Sequence, residues 1–233
     1  MAFAITFSGT IYGAESSFTT LQQPGSTAEV VISQIYGGGV APSASTSFNS
    51  DFVELHNTSS APQDITGFKL AYGSSSGFLG ATQSNRFTFP ANTIIPAGGY
   101  LLVADSGLTG GTNPSLPVAR DFYFRFAMSA TKGKIVLGTE SLIDSSSLAD
   151  QPIGAVLDFV GYGTASEYEG GSPTASLTIT TAAFRNNNGC DDSDNNGSDF
   201  TIGAPNPRNS TSPVFICPAG NNQNIQENRS ASQ

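Results

Sequence analysis

The sequence predicts an all-β fold, a sandwich or a barrel, and three observations carry that expectation. Short runs of β-branched and aromatic residues alternate with polar ones and are separated by Gly, Pro, Ser, Asn and Asp turn signals. Only 12% of the residues are charged, while 26 Gly and 13 Pro supply turns, a balance that suits strands better than helices. The 16 Phe and 7 Tyr provide large apolar units for a core, although hydrophobic residues total only 38%. No segment sustains a period of 3.6, so helix is expected to be short and incidental.

In chain order, Phe3, Ile5, Phe7 and Ile11 alternate with small or polar neighbours, and Gly9 takes the remaining place on their face. This predicts one amphipathic strand. A polar stretch containing Gln22, Gln23, Pro24 and Gly25 follows, so residues 1–27 read as an N-terminal strand and linker. A separable strand of this kind can complete the sheet of a neighbouring copy. Further strands are expected over 29–35, 51–56, 65–72, 86–89, 100–104, 121–126, 134–137 and 156–160, with 177–180 and 214–216 as later additions. Loops over 41–50, 73–84, 106–117 and 139–153 are long for hairpins, and they read equally as binding surfaces or as solvated connections.

The charge balance narrows the partners. With 18 acidic and 9 basic residues the net charge is -9, and the first basic residue is Lys69, so nucleic-acid binding is not expected. No run reaches the length of a transmembrane helix. No Lys or Arg follows Met1 closely, so the opening lacks the basic region of a signal peptide. Cys190 and Cys217 are the two cysteines, each in a polar, loop-like stretch. They read as one disulfide, with two unrelated buried thiols as the alternative.

Chemistry-bearing patterns are few. Asp192, Asp194 and Asn196, followed by Gly197, fit the first half of a calcium loop, in which oxygens at alternate positions converge on a hard cation. Position twelve holds Gly203 instead of Glu, so Asp191 or Asp199 would have to contribute. The competing and preferred reading is an Asx-rich turn bonded to its own backbone; a calcium ion here would be structural, and no other cofactor is expected. Gly73, Ser75 and Gly77 match G-x-S-x-G, but no helix-forming run follows to present a nucleophile. His56, the one histidine, reads as a ring packed on the sheet rather than as a base. Asp51 and Glu54 are three apart, so a regular strand directs them to opposite faces, and Glu54 reads as a buried hydrogen-bond anchor.

These segments fall in an order that resembles the bacterial lamin-tail domains. The resemblance is carried by 31–39 (VISQIYGGG), 51–57 (DFVELHN), 64–70 (DITGFKL), 95–103 (IPAGGYLLV), 133–137 (GKIVL) and 158–163 (DFVGYG). It continues through Arg185, 189–196 (GCDDSDNN), Asp199, Phe200 and 205–210 (PNPRNS). It implies an immunoglobulin-like β-sandwich without an active site of its own, here over residues 28–217, between the N-terminal segment and a tail at 218–233. It also implies an extracellular or cell-surface setting, where such domains tether, adhere or accompany secreted hydrolases such as nucleases. The expectation is therefore a non-enzymatic structural or adhesive protein. It would assemble with copies of itself or on a surface partner, into a filament or surface layer, by addition of the strand bearing Phe3, Ile5, Phe7 and Ile11. A ligand-binding or targeting module is the alternative.

Overall fold

The structure, a computed structural model, describes residues 3–6, 9–12, 29–39, 45, 47–77, 79, 85–107, 113–145 and 147–218. Its strands are β1 (Phe3–Thr6), β2 (Gly9–Tyr12), β3 (Val30–Tyr36), β4 (Phe52–Asn57), β5 (Gln63–Asp64), β6 (Lys69–Gly73) and β7 (Arg86–Thr88). They continue with β8 (Ile94–Ile95), β9 (Tyr100–Ala104), β10 (Phe122–Tyr123), β11 (Gly133–Gly138), β12 (Val156–Tyr162), β13 (Ala182–Arg185) and β14 (Phe200–Gly203). A six-stranded sheet in the order β10-β9-β4-β3-β13-β14 packs on a four-stranded sheet in the order β12-β11-β6-β7, and β5 pairs with β8. The fold is an all-β, immunoglobulin-like sandwich.

The core lies between the two sheets. Val30, Ile32, Ile35, Val53, Leu55, Leu101 and Val103 face Leu70, Tyr72, Ile135, Leu137, Val160 and Tyr162. Every residue of β3, β4 and β9 is buried, which simple alternation does not predict. The reason is that the outer face of the six-stranded sheet is covered too. Tyr36, Phe52, Leu102 and Ala182 form a second cluster beneath Phe48, Leu116 and Val118, and residues 205–217 lie over the neighbouring polar positions. Burying the Phe52 and Leu102 side chains in this way contributes roughly 2 kcal/mol each.

Four expectations need correction. The N-terminal alternation is two strands, not one: Thr6 pairs with Gly9 and Phe3 with Tyr12, so the chain reverses between β1 and β2. Ile5 and Ile11 fall in these strands, whereas Phe7 lies outside the described residues. Residues 177–180 form a tight turn, with Thr181 N–H donating to Thr178 C=O at 3.3 Å. Residues 214–216 form no strand, although Phe215 N–H donates to Gly98 C=O at 2.8 Å, and of 121–126 only Phe122 and Tyr123 pair as a strand, parallel to β9. Beyond them Phe124 N–H still donates to the Ala104 carbonyl of β9 at 3.1 Å, and Phe124 and Phe126 enter the core and stack on each other, with ring centroids 3.8 Å apart.

Candidate functional site

The largest buried side chain is Arg185, at the end of β13. Its position follows from a fault in the neighbouring ladder. β13 pairs with β3 only at Ala183 and Phe184, and β3 shifts register between Ile32 and Gln34. The Ile32 backbone is satisfied by side chains instead: its N–H donates to Asp158 Oδ2 at 2.5 Å, and its carbonyl accepts from Arg185 Nε at 3.0 Å. Arg185 then joins the sheets, because Nη2 donates to both oxygens of Asp158 on β12 at 2.8 and 2.7 Å. Nη1 donates to Asp192 Oδ1 at 2.7 Å, and the guanidinium lies over the Phe200 ring, 4.7 Å from its centroid. Burial works against the guanidinium charge, but Asp158, Asp192 and Glu169 more than offset it and raise the pKa. Glu169 and Asp192 are themselves pushed up by desolvation and by their mutual crowding with Asp158.

The acidic hook from Asp191 to Asp199 wraps around this cation. Asp192 and Asp199 face Arg185, at 2.7 and 3.8 Å. Asp199 also accepts from Ser193 N–H, Ser193 Oγ and Asn195 N–H at 2.9, 2.6 and 3.1 Å, the geometry of an Asx-rich turn. Asp191 Oδ1 accepts from Asn187 Nδ2 at 3.1 Å, and Asp194 is exposed with a positive φ of 53. Asn196 turns the other way and is fully buried. Its Oδ1 accepts from Gly161 N–H and its Nδ2 donates to Phe159 C=O, at 2.8 and 2.9 Å, so one side-chain amide closes part of the β12 edge. The five residues singled out from sequence thus have different partners.

Residues 205–217 form a strap over the outer face of the six-stranded sheet. Gln34 exchanges two bonds with the Asn206 backbone, at 3.0 and 2.9 Å. Fully buried Glu54 accepts from Arg208 N–H at 2.6 Å and Nη2 at 2.7 Å, and from Ser33 Oγ at 2.6 Å. Burial raises the Glu54 pKa, and the Arg208 charge and hydrogen bonds oppose that rise. Arg208 also stacks over Tyr100 at 3.8 Å. Farther along, Asp121 accepts from Ser210 N–H and Oγ. Phe215 exchanges backbone contact with Gly98, whose positive φ and tight fit, 2.6 Å from a notional Cβ to Phe215 O, leave no room for a side chain.

The strap ends at the Cys190–Cys217 disulfide, with Cα atoms 5.6 Å apart. Closing a loop over a separation of 27 residues stabilises by about 3–4 kcal/mol on the chain-entropy view. Asn187 and Asn188, at φ 56 and 61, and Gly189, at φ 100, turn the chain from β13 toward this bridge. Asn and Gly are the residues that tolerate such a left-handed run. Under the bridge lies His56, fully buried and stacked on Tyr100 with centroids 4.4 Å apart. Its Nε2 bonds the Phe215 carbonyl at 3.0 Å, and burial lowers its pKa, so the ring is neutral at neutral pH.

A separate buried acid gives a pH expectation. Asp51 accepts from Gly39 and Met128 N–H at 2.8 and 2.9 Å, yet burial outweighs those bonds, with Asp105 adding to it, and pushes its pKa up to about 7. A native pKa above the unfolded value means that the stability tied to the protonated form is complete below about pH 4 and is lost as pH rises toward 7. The loss is at most about 4 kcal/mol. Urea unfolding at pH 4.5, 6 and 7.5 should therefore show stability falling with pH; a rise over that interval overturns the assignment to Asp51.

The Gly73–Gly77 segment is a turn closed by Gly77 N–H on Ser74 C=O at 3.1 Å. The residues that sequence reading overlooked are Asp158 and Lys134. Lys134 is buried with Nζ 3.0 Å from Glu167. Asp158 stands inside an apolar run and Lys134 opens one, and a charge in such a place is the signal that points to a buried pair. Asp158, Glu169 and Asp192 lie near enough to hold an ion, but Arg185 already supplies their positive charge.

In comparison with known families, the family model for the Lamin Tail Domain matches residues 23–164, more than half of the 233-residue chain. No curated protein matches the chain significantly.

Proposed function

Because the chain belongs to the lamin tail domain family, we propose that it is a non-enzymatic, extracellular structural or adhesive protein that joins copies of itself by strand addition through its N-terminal segment. One observation carries this reading: among the described residues β1 and β2 form a sheet with only each other, and β14 pairs on one side alone. Each of these strands is four residues long, so a donor of the right length meets an acceptor edge. The β12 edge is less suited, because Asn196 and the Thr174 backbone occupy part of it. A donor and an acceptor on different surfaces make a head-to-tail contact, which builds a filament unless it closes.

The absence of catalysis is supported by the roles of the candidate groups. His56 is buried, neutral and stacked, and Glu54 is held by Arg208. The disulfide fits an oxidising, extracellular setting, and a net charge of -9 disfavours nucleic acid. Among the described residues no helix is long and apolar enough to cross a membrane.

Deletion of Met1 to Gly13, followed by light scattering and electron microscopy, tests the assembly. Full-length protein should form larger species and the truncated protein monomers. Monomers of equal stability in both cases overturn the proposal. The alternative, a ligand-binding or targeting module associated with secreted hydrolases such as nucleases, draws on a polar cleft where Asn186, Asn188, Thr201, Asn206 and Arg208 meet. A structural calcium ion at Asp192 and Asp194 is a separate proposal, since the ion would compete with Arg185 for Asp192. Calorimetric titration should give heat that disappears when both are changed to Ala; no heat in the parent protein removes the ion.

A further inference from the structure

We propose that reduction of the Cys190–Cys217 disulfide opens a three-ligand site, His56 with Cys190 and Cys217, for a soft d10 cation, Zn2+ or Cu+. One ring nitrogen of His56 and the two sulfurs all lie within 4.8 Å of one another. The second, independent observation is the histidine itself. Among the described residues, His56 Nδ1 is the one buried side-chain polar atom without a hydrogen-bond partner. It lies beside Gly189, 2.9 Å from where a Cβ would stand, next to Cys190 in the chain.

The tautomer follows from the other nitrogen. A carbonyl only accepts, so the bond to Phe215 O requires the proton on Nε2. In the neutral ring that leaves the lone pair on Nδ1. Metal-bound histidines commonly have this arrangement, one nitrogen ligating and the other donating to a carbonyl that fixes the ring. Stacking on Tyr100, at an interplanar angle of 16°, holds the plane as well. In the oxidised protein Nδ1 is buried without a hydrogen bond, and the Gly189 backbone lies beside the ring. Two thiolates and one imidazole form a donor set that favours Zn2+ or Cu+ over Ca2+ or Mg2+.

Access is one-sided. Cys190 is fully buried and Cys217 is partly exposed. A dithiol reductant therefore attacks Cys217 Sγ and expels the Cys190 thiolate toward the imidazole. The second thiol of the reductant then displaces Cys217 and leaves as the cyclic disulfide, so two electrons and two protons pass to the protein. Metal binding releases the two thiol protons to solvent. The sulfurs must separate to about 3.8 Å to share a tetrahedral ion with bonds of about 2.3 Å, and Cys217, on the strap rather than in a strand, is the one placed to move. Its exposed side leaves a fourth position for water.

The full chain is reduced anaerobically with a phosphine, freed of reductant, and titrated with Co2+ as a spectroscopic stand-in, then with Zn2+ alone and with Cu+ alone against a chromophoric chelator. Reduced protein should bind one ion per chain with a thiolate-to-cobalt charge-transfer band, and oxidised protein should not. His56→Phe, which keeps the stack on Tyr100, should weaken Zn2+ binding at least tenfold. Because His56 is the single histidine, 15N-histidine labelling gives one Nδ1 signal, which should shift on adding Zn2+ even if the variant does not fold. Binding of either ion by this pattern upholds the site. No uptake after reduction, equal uptake by the oxidised protein, or an unmoved Nδ1 signal overturns it.

Discussion

Arg185→Met should lower the unfolding free energy by about 3–5 kcal/mol, because it leaves Asp158 buried without its cation. Asp158 then keeps only the Ile32 N–H as a close donor, while the Ile32 carbonyl loses its partner. Asp192, less deeply buried, can turn to water at smaller cost. The companion change separates charge from shape: Arg185→Met with Asp158→Leu removes both ions and should recover part of the loss. Urea unfolding of the two single variants and the double variant measures the coupling. Additive losses would mean that the pair does not bridge the sheets as described. The recovery will be incomplete in any case, since the Ile32 N–H and carbonyl both lose side-chain partners.

Arg208→Ala should cost about 3 kcal/mol at pH 7.5, since Glu54 is left charged at a site with no solvent contact. The cost should shrink at pH 5. Burial already raises the Glu54 pKa, and the guanidinium is the largest influence holding it down. Without Arg208 the native pKa climbs farther above the unfolded value. Stability tied to the protonated form is then intact at low pH and lost as pH rises through the native value. Hydrogen exchange should also quicken over residues 205–217 while β3 and β4 stay protected, because the disulfide still holds the far end of the strap. Uniform exchange across the sheet, or an equal cost at both pH values, would show that Glu54 is not the anchor.

Much of this architecture was legible in the residues. The β-branched and apolar runs in 29–35, 51–56 and 100–104 gave strands that the structure places side by side, and Glu54, an acid inside an apolar run, was readable as an anchor. The cysteines were readable as a pair because both stood in polar loops. What stayed hidden has physical causes. β13 reads Ala-Ala-Phe-Arg, with no β-branched residue, yet it lies inside a sheet, with Ala183 in the core between the sheets and Ala182 in the outer cluster. β14 is short and half-exposed, so its pattern is weak. The acidic hook matched a calcium loop at alternate positions. The hidden information was the direction of each side chain, because nothing in 191–199 announces that Asp192 and Asp199 turn to an arginine and Asn196 to a strand edge. The N-terminal alternation fitted a single strand equally well as a hairpin, since a reversal between Thr6 and Gly9 preserves period two on either side.

The placement of β13 has a consequence for the order of folding. Arg185 bonds Ile32 across 153 residues of chain, and β13 lies between β3 and β14. The six-stranded sheet therefore lacks an interior member until residue 185 has emerged from the ribosome or crossed a membrane. Pairings of such long range close slowly, because the loop entropy must be overcome before any contact forms. Until then Ile32 and Ile35 present an unfinished edge, and a chaperone or delayed release would protect the chain best during that interval.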